Sequence, residues 1–177
     1  MSARKCIILI DGSNFYFKLK DIGLHDFMKL NFAALTKMLA GKNEIVNCIF
    51  YIGKVKTDGS VKSTKMQAKQ QQLFAHLKKN HVQYSLGYLL KADGKFHEKG
   101  VDVNIAVDIL VAAYENLCEH VILISSDTDL LPAIRKAKEK EKTVEYIGFS
   151  HQPSLAMVAN CSESRLLKKE DILPFVK

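Results

Sequence analysis

The stretch LISSDTDLLP, residues 123–132, runs an apolar strand into Ser125, Ser126, Asp127 and Asp129 and then into a helix. Asp11 likewise closes the apolar run KCIILI (5–10), and Asp102 follows the Lys99–Gly100 turn at the start of the most apolar helical stretch. Carboxylates gathered in one place oppose each other. Two like charges about 4 Å apart repel by roughly 4 kcal/mol at an effective dielectric near 20. Such a cluster must raise its pKa values, stay solvated or hold a cation. An oxygen set without Cys or His suits Mg²⁺ or Mn²⁺ rather than zinc, and a cation there lowers the pKa of water and neutralises phosphodiester charge.

Each aspartate also has a plainer use. Asp11 with Gly12 forms a turn, Asp102 serves as a helix N-cap, and Asp127 caps the helix holding Pro132 while Asp129 adds a favourable charge to its first turn. Their joint placement at strand ends is what favours a site. Asp108 stands apart: six residues after Asp102, it lies about 240° further round a helix and does not share its face. Among the apolar residues of IAVDILVAA it needs a partner and is expected in a supporting role behind the site.

The elements that would position these residues alternate along the chain. Apolar runs at 5–10, 44–53, 82–90, 120–125 and 143–148 are expected as strands, and 31–41, 63–80, 101–117, 130–141 and 152–160 as helices. Unbroken apolar strands separated by helices call for a mainly parallel sheet covered on both faces, an α/β fold with sites beyond the carboxyl ends of its strands. With 177 residues and 47% hydrophobic content, one domain over residues 1–177 is expected. The apolar run Cys6–Ile10 is too short for a secretory or membrane-spanning segment, so a soluble, cytoplasmic protein is expected.

Four dispersed cysteines form no CxxC or Cys/His cluster and are expected as buried free thiols. The six histidines are scattered, and no GxSxG elbow, GxxxxGK loop or GxGxxG fingerprint occurs. Serine hydrolases, P-loop ATPases and dinucleotide oxidoreductases lose support. A haloacid-dehalogenase-like phosphotransferase would need a second carboxylate two residues after Asp11, where Ser13 stands.

Three segments, ILIDGSNFY, KGVDVNIAVDIL and ISSDTDLLPAI, taken in this order, resemble the motifs of the NYN domain family, the LabA-like branch of the PIN-like nucleases. The resemblance runs from about Cys6 to Leu167. It implies a Rossmann-like three-layer α/β/α sandwich whose acidic cluster binds Mg²⁺ or Mn²⁺ for ribonuclease chemistry. It places Asp11, Asp102, Asp127 and Asp129 in the metal site, Asn14 beside them as ligand or orienter, and Ser125 and Ser126 along the pocket. The chain departs from the pattern at Ser126, where relatives often carry glycine, and at Asn160, near a position that is often acidic.

A formal charge of +7 and a pI near 9.2 fit an anionic partner. Lys56, Lys62, Lys65 and Lys69 are candidates for phosphate contacts, with a solvated helix face as the alternative, and Lys99 for a phosphate beside the metal. Among Phe15, Tyr16 and Phe17, at least two are expected in the core and an exposed one would stack a base. The function expected is a metal-dependent ribonuclease acting on RNA. The alternative is an RNA-binding or scaffold protein of the same fold with little activity, and a homo-oligomer is open in either case.

Overall fold

A computed structural model of the chain describes residues 3–177. Strand β1 (Lys5–Asp11) lies at the centre because its side chains are buried on alternate faces along almost its whole length. Cys6, Ile8 and Ile10 enter one core cluster, while Ile7 and Leu9 enter the other. Fully burying such a side chain contributes about 1.5–3 kcal/mol, so this one strand anchors both layers.

Strands β2 (Glu44–Lys54), β3 (Gln83–Ala92) and β4 (Lys95–Lys99) extend the sheet on one side of β1, and β5 (His120–Ile124), β6 (Thr143–Phe149) and β7 (Glu163–Leu167) on the other. The order is β4-β3-β2-β1-β5-β6-β7, parallel except where β4 folds back on β3. Helices α1 (Gly12–Asp21), α2 (Phe32–Ala40), α3 (Val61–Lys79) and the short α7 (Lys169–Ile172) pack on one face. The other face carries α4 (Val101–Tyr114), α5 (Leu131–Glu139) and α6 (Leu155–Asn160). The three-layer α/β/α arrangement expected from the sequence is therefore present.

Several elements were not anticipated, the short α7 among them. Helix α1 starts directly on Asp11, whose carboxylate accepts the Asn14 N–H as an N-cap and so makes the expected turn a helix start. Strand β4 has the mixed sequence KFHEK, too polar to announce a strand, and forms because a turn of Asp93 and Gly94, both at positive φ, returns the chain along β3. Strand β7, ESRLL, is a short edge strand beyond β6. The aromatic expectation also needs correction, because only Phe15 is buried; Tyr16 is half-buried and Phe17 is 59% exposed. All four cysteines are free and buried, as expected. No described helix is long and apolar enough to cross a membrane.

The chain runs outward from β1 to β4 on one side and then crosses to β5 on the other. β1 and β5 are thus the pair at which strand order reverses, the position in open α/β sheets where a crevice opens at the carboxyl ends. Gly12 marks how tightly that junction is built. A Cβ there would stand 2.6 Å from the Tyr51 carbonyl oxygen and 2.4 Å from the Phe50 ring, so no larger residue fits without moving β2.

Candidate active site

At the switch point Asp11 ends β1, and the segment after β5 carries Ser125, Ser126 and Asp127. The Ser125 hydroxyl donates to Asp11 Oδ2 at 2.9 Å, and the Asn14 N–H donates to Oδ1 at 3.1 Å. Both carboxylate oxygens are therefore fixed by the protein. The Asp127 N–H donates to Ser125 Oγ at 3.2 Å, and the Ser126 N–H donates to Asn14 Oδ1 at 3.2 Å. Asn14 thus joins the start of α1 to the loop after β5. Ser126 turns its hydroxyl to the Tyr146 hydroxyl, 2.8 Å away, rather than lining the acidic cavity.

That cavity, of about 230 Å³, is lined by Asp11, Glu98, Lys99, Val101, Asp102 and Asp127. Asp102 occupies the first turn of α4, whose actual N-cap is Gly100 at φ 80°, so Asp102 is not the helix cap. Glu98 comes from β4 and was not singled out from the sequence. Its Oε2 accepts the Ser13 hydroxyl at 3.0 Å and the Gly53 N–H at 2.8 Å. The only signal available was its nearness to Lys99 and Gly100, since the fold-back of β4 that delivers it has no apolar pattern.

Asp129 stands differently from its neighbours. It is exposed, does not line the cavity, and its N–H donates to Asp127 Oδ1 at 2.9 Å. Asp127 therefore combines a capping contact with a place at the cavity. Asp108 lies elsewhere on α4 and accepts the Tyr51 hydroxyl at 2.5 Å. Burial, and then Asp108, raise the Tyr51 pKa above its ordinary range. Lys99 is exposed at the cavity edge. Lys56 after β2, and Lys62, Lys65 and Lys69 on α3, are exposed and outside the cavity lining; Lys69 instead borders a hollow with Tyr16, Phe27 and Gln72. Asn160 accepts from the Arg135 guanidinium at 3.0 and 3.2 Å, which gives that amide a structural partner on α5.

Electrostatics single out Asp11. It is 8% exposed, and burial pushes its pKa from the ordinary 3.8 to about 6. The Asn14 and Ser125 hydrogen bonds partly offset that rise, and the charges of Glu98 and Asp127 add to it. A bound cation would reverse both effects, and the all-oxygen donor set fits a hard divalent ion such as Mg²⁺ or Mn²⁺. Among the described residues, no three of these carboxylates have oxygens all within 4.8 Å of one another. An ion held there would need water to complete its coordination.

The NYN domain family model matches residues 5–167, nearly the whole chain. The chain belongs to the NYN domain family. Among solved structures, this NYN domain is similar to a protein of unknown function from Vibrio parahaemolyticus RIMD 2210633, with 20% identity, a TM-score of 0.72 and 96% of each chain covered. That likeness shows the shared fold. A more distant likeness is to T5 5'-exonuclease, solved with bound divalent zinc ions, at 19% identity and a TM-score of 0.45, covering 88% of the NYN chain and 60% of the exonuclease. No curated protein matches the chain significantly.

Proposed function

We propose that this NYN domain is a metal-dependent ribonuclease that hydrolyses RNA phosphodiesters at the switch-point cavity. The observation that carries the proposal is the convergence of Asp11, Glu98, Asp102 and Asp127, from three stretches of the chain, on one small polar cavity edged by Lys99. Carboxylates facing one cavity repel each other, and a cation there offsets that repulsion. When bound, Mg²⁺ or Mn²⁺ supplies water activation and charge neutralisation at the phosphate. Asp11, Asp102 and Asp127 are the proposed holders of the ion, with Glu98 beside them.

The protein's own contribution is positional. Ser125 and the Asn14 N–H hold the Asp11 carboxylate in one orientation, while Ser13 and the Gly53 N–H do the same for Glu98. The Lys99 ammonium is placed to meet a non-bridging phosphate oxygen at the cavity edge. Lys56, Lys62, Lys65 and Lys69 supply sequence-independent attraction for the RNA backbone farther out.

A second reading, an RNA-binding domain with little activity, is favoured by the wide spacing of the carboxylates. One panel separates the two: end-labelled single-stranded RNA, duplex RNA and DNA incubated with the protein and Mg²⁺, Mn²⁺ or chelator. The nuclease reading expects RNA fragments that require the metal. Binding to RNA with no cleavage under any metal condition supports the second reading.

A further inference from the structure

The parallel strands β5, β6 and β7 begin at the edge of the sheet opposite the carboxylate cavity. There His120, the first residue of β5, shares one face with Glu145 of β6 and Glu163, the first residue of β7. Glu145 and Glu163 are direct partners across the β6–β7 ladder. Like charges placed opposite each other on neighbouring strands are destabilising unless something joins them.

Arg165 meets only half of this demand. Its guanidinium reaches Glu145 Oε1 at 2.6 and 2.9 Å and the Leu39 carbonyl at 3.2 Å, leaving Glu145 Oε2 to face inward. His120 Nε2 stands 3.1 Å from that second oxygen. The two stand as a close ion pair, but the N–H direction is poor, and among the described residues Nε2, in a residue only 3% exposed, has no well-directed hydrogen bond. One ligand atom from each of His120, Glu145 and Glu163 lies within 4.8 Å of the other two. Two ligands bound at 2.0–2.1 Å to a tetrahedral zinc ion are about 3.3 Å apart, close to the separation of Nε2 and Oε2.

We propose that His120, Glu145 and Glu163 form a second divalent-cation site, of zinc type, that clamps the first residues of β5 and β7 to β6. One imidazole nitrogen and two carboxylate oxygens, with water in the fourth position, make a set that borderline cations accept and Mg²⁺ does not prefer. Asn43 completes the arrangement from the turn after α2, with Nδ2 3.1 Å from His120 Nδ1. A half-turn of its amide presents Oδ1 to an Nδ1–H, the tautomer in which Nε2 offers its lone pair to a metal. The site lies far along the strands from Asp11, and its role is structural, holding the edge strand to the sheet.

The test uses the full chain, stripped with chelator, supplied with excess Mg²⁺ and titrated with Zn²⁺ by calorimetry and thermal melting, and separately with Co²⁺ by visible absorption. With the carboxylate cavity held by Mg²⁺, wild type should bind one equivalent of Zn²⁺ with a raised melting temperature, and Co²⁺ should give the intense bands of a four-coordinate ion. Glu163→Gln should weaken Zn²⁺ binding by about tenfold or more and remove the cobalt bands. His120→Gln should do the same, but Glu163 is exposed, so its variant decides the matter even if the histidine variant fails to fold. Absence of Zn²⁺ binding in wild type, or unchanged affinity in Glu163→Gln, would overturn the proposal.

Discussion

The Ser13 hydroxyl donates to Glu98 Oε2 at 3.0 Å, across 85 positions of chain. With the Gly53 N–H on the same oxygen, this bond fastens the hairpin strand β4 to the start of α1 and places a fourth carboxylate at the cavity. Glu98→Gln keeps an acceptor for both donors and removes the charge. It should leave the melting temperature of the metal-free protein within a few degrees of wild type while lowering Mn²⁺ affinity and metal-dependent cleavage. Manganese titration followed by thermal melting checks this, and wild-type affinity in the variant would remove Glu98 from the site.

Asp11 sets the pH dependence. Its pKa rises from 3.8 unfolded to about 6 folded, so the folded state holds this proton more tightly. Its contribution to stability is fully present below pH 3.8 and is lost as pH rises through about 6; a rise of that size corresponds to about 3 kcal/mol. Metal-free Asp11→Asn should accordingly be more stable than wild type at pH 7, by up to about that amount, and the difference should close toward pH 4. Urea denaturation between pH 4 and 7.5 measures it.

Asp127 and Asp129 are two residues apart and should behave differently. Millimolar Mn²⁺ should raise the wild-type melting temperature, since a ligand at a hundred times its Kd adds about 2.7 kcal/mol. Asp127→Asn should blunt that rise and cut cleavage strongly. Asp129→Asn should cost at most about 1 kcal/mol of stability, the scale of a charge in a helical first turn, with a far smaller effect on metal response. Equal loss in both variants would place Asp129 at the ion.

The sequence made the framework readable because short β-rich apolar runs alternate with helical stretches, and the aspartates at the strand ends follow from chain direction. It also left cap and ligand as rival uses for Asp11 and Asp127, whereas in the fold each carboxylate caps through Oδ1 and still borders the cavity. Glu98 was hidden because its position depends on a polar hairpin folding back beside Gly53, a long-range event without periodicity. Asp129 looked equivalent to Asp127 because spacing by two does not reveal which side chain a tight turn points outward. His120, Glu145 and Glu163 were unreadable as a group, since only strand pairing brings them together.

The lysines supply the substrate side. Changing Lys56, Lys62, Lys65 and Lys69 to Ala should weaken RNA binding for all sequences alike and flatten the dependence of log Kd on log salt, by up to about 0.7–0.9 per lost phosphate contact. Because these side chains are exposed, folding should be unaffected. Filter binding across a salt series gives both numbers, and an unchanged slope would assign the segment to solvent.

The most direct measurement compares cleavage of labelled RNA by wild type and Asp11→Asn at pH 7, with Mn²⁺ and with chelator, at protein concentrations where both are folded. The account predicts a variant that is at least as stable as wild type yet at least about a hundredfold slower, with wild-type cleavage abolished by chelator. Loss of activity alongside retained stability cannot come from unfolding. Cleavage that survives Asp11→Asn or chelation, or a wild-type protein that binds RNA and never cleaves it with either metal, would contradict the assignment of this cavity as a metal-dependent nuclease site.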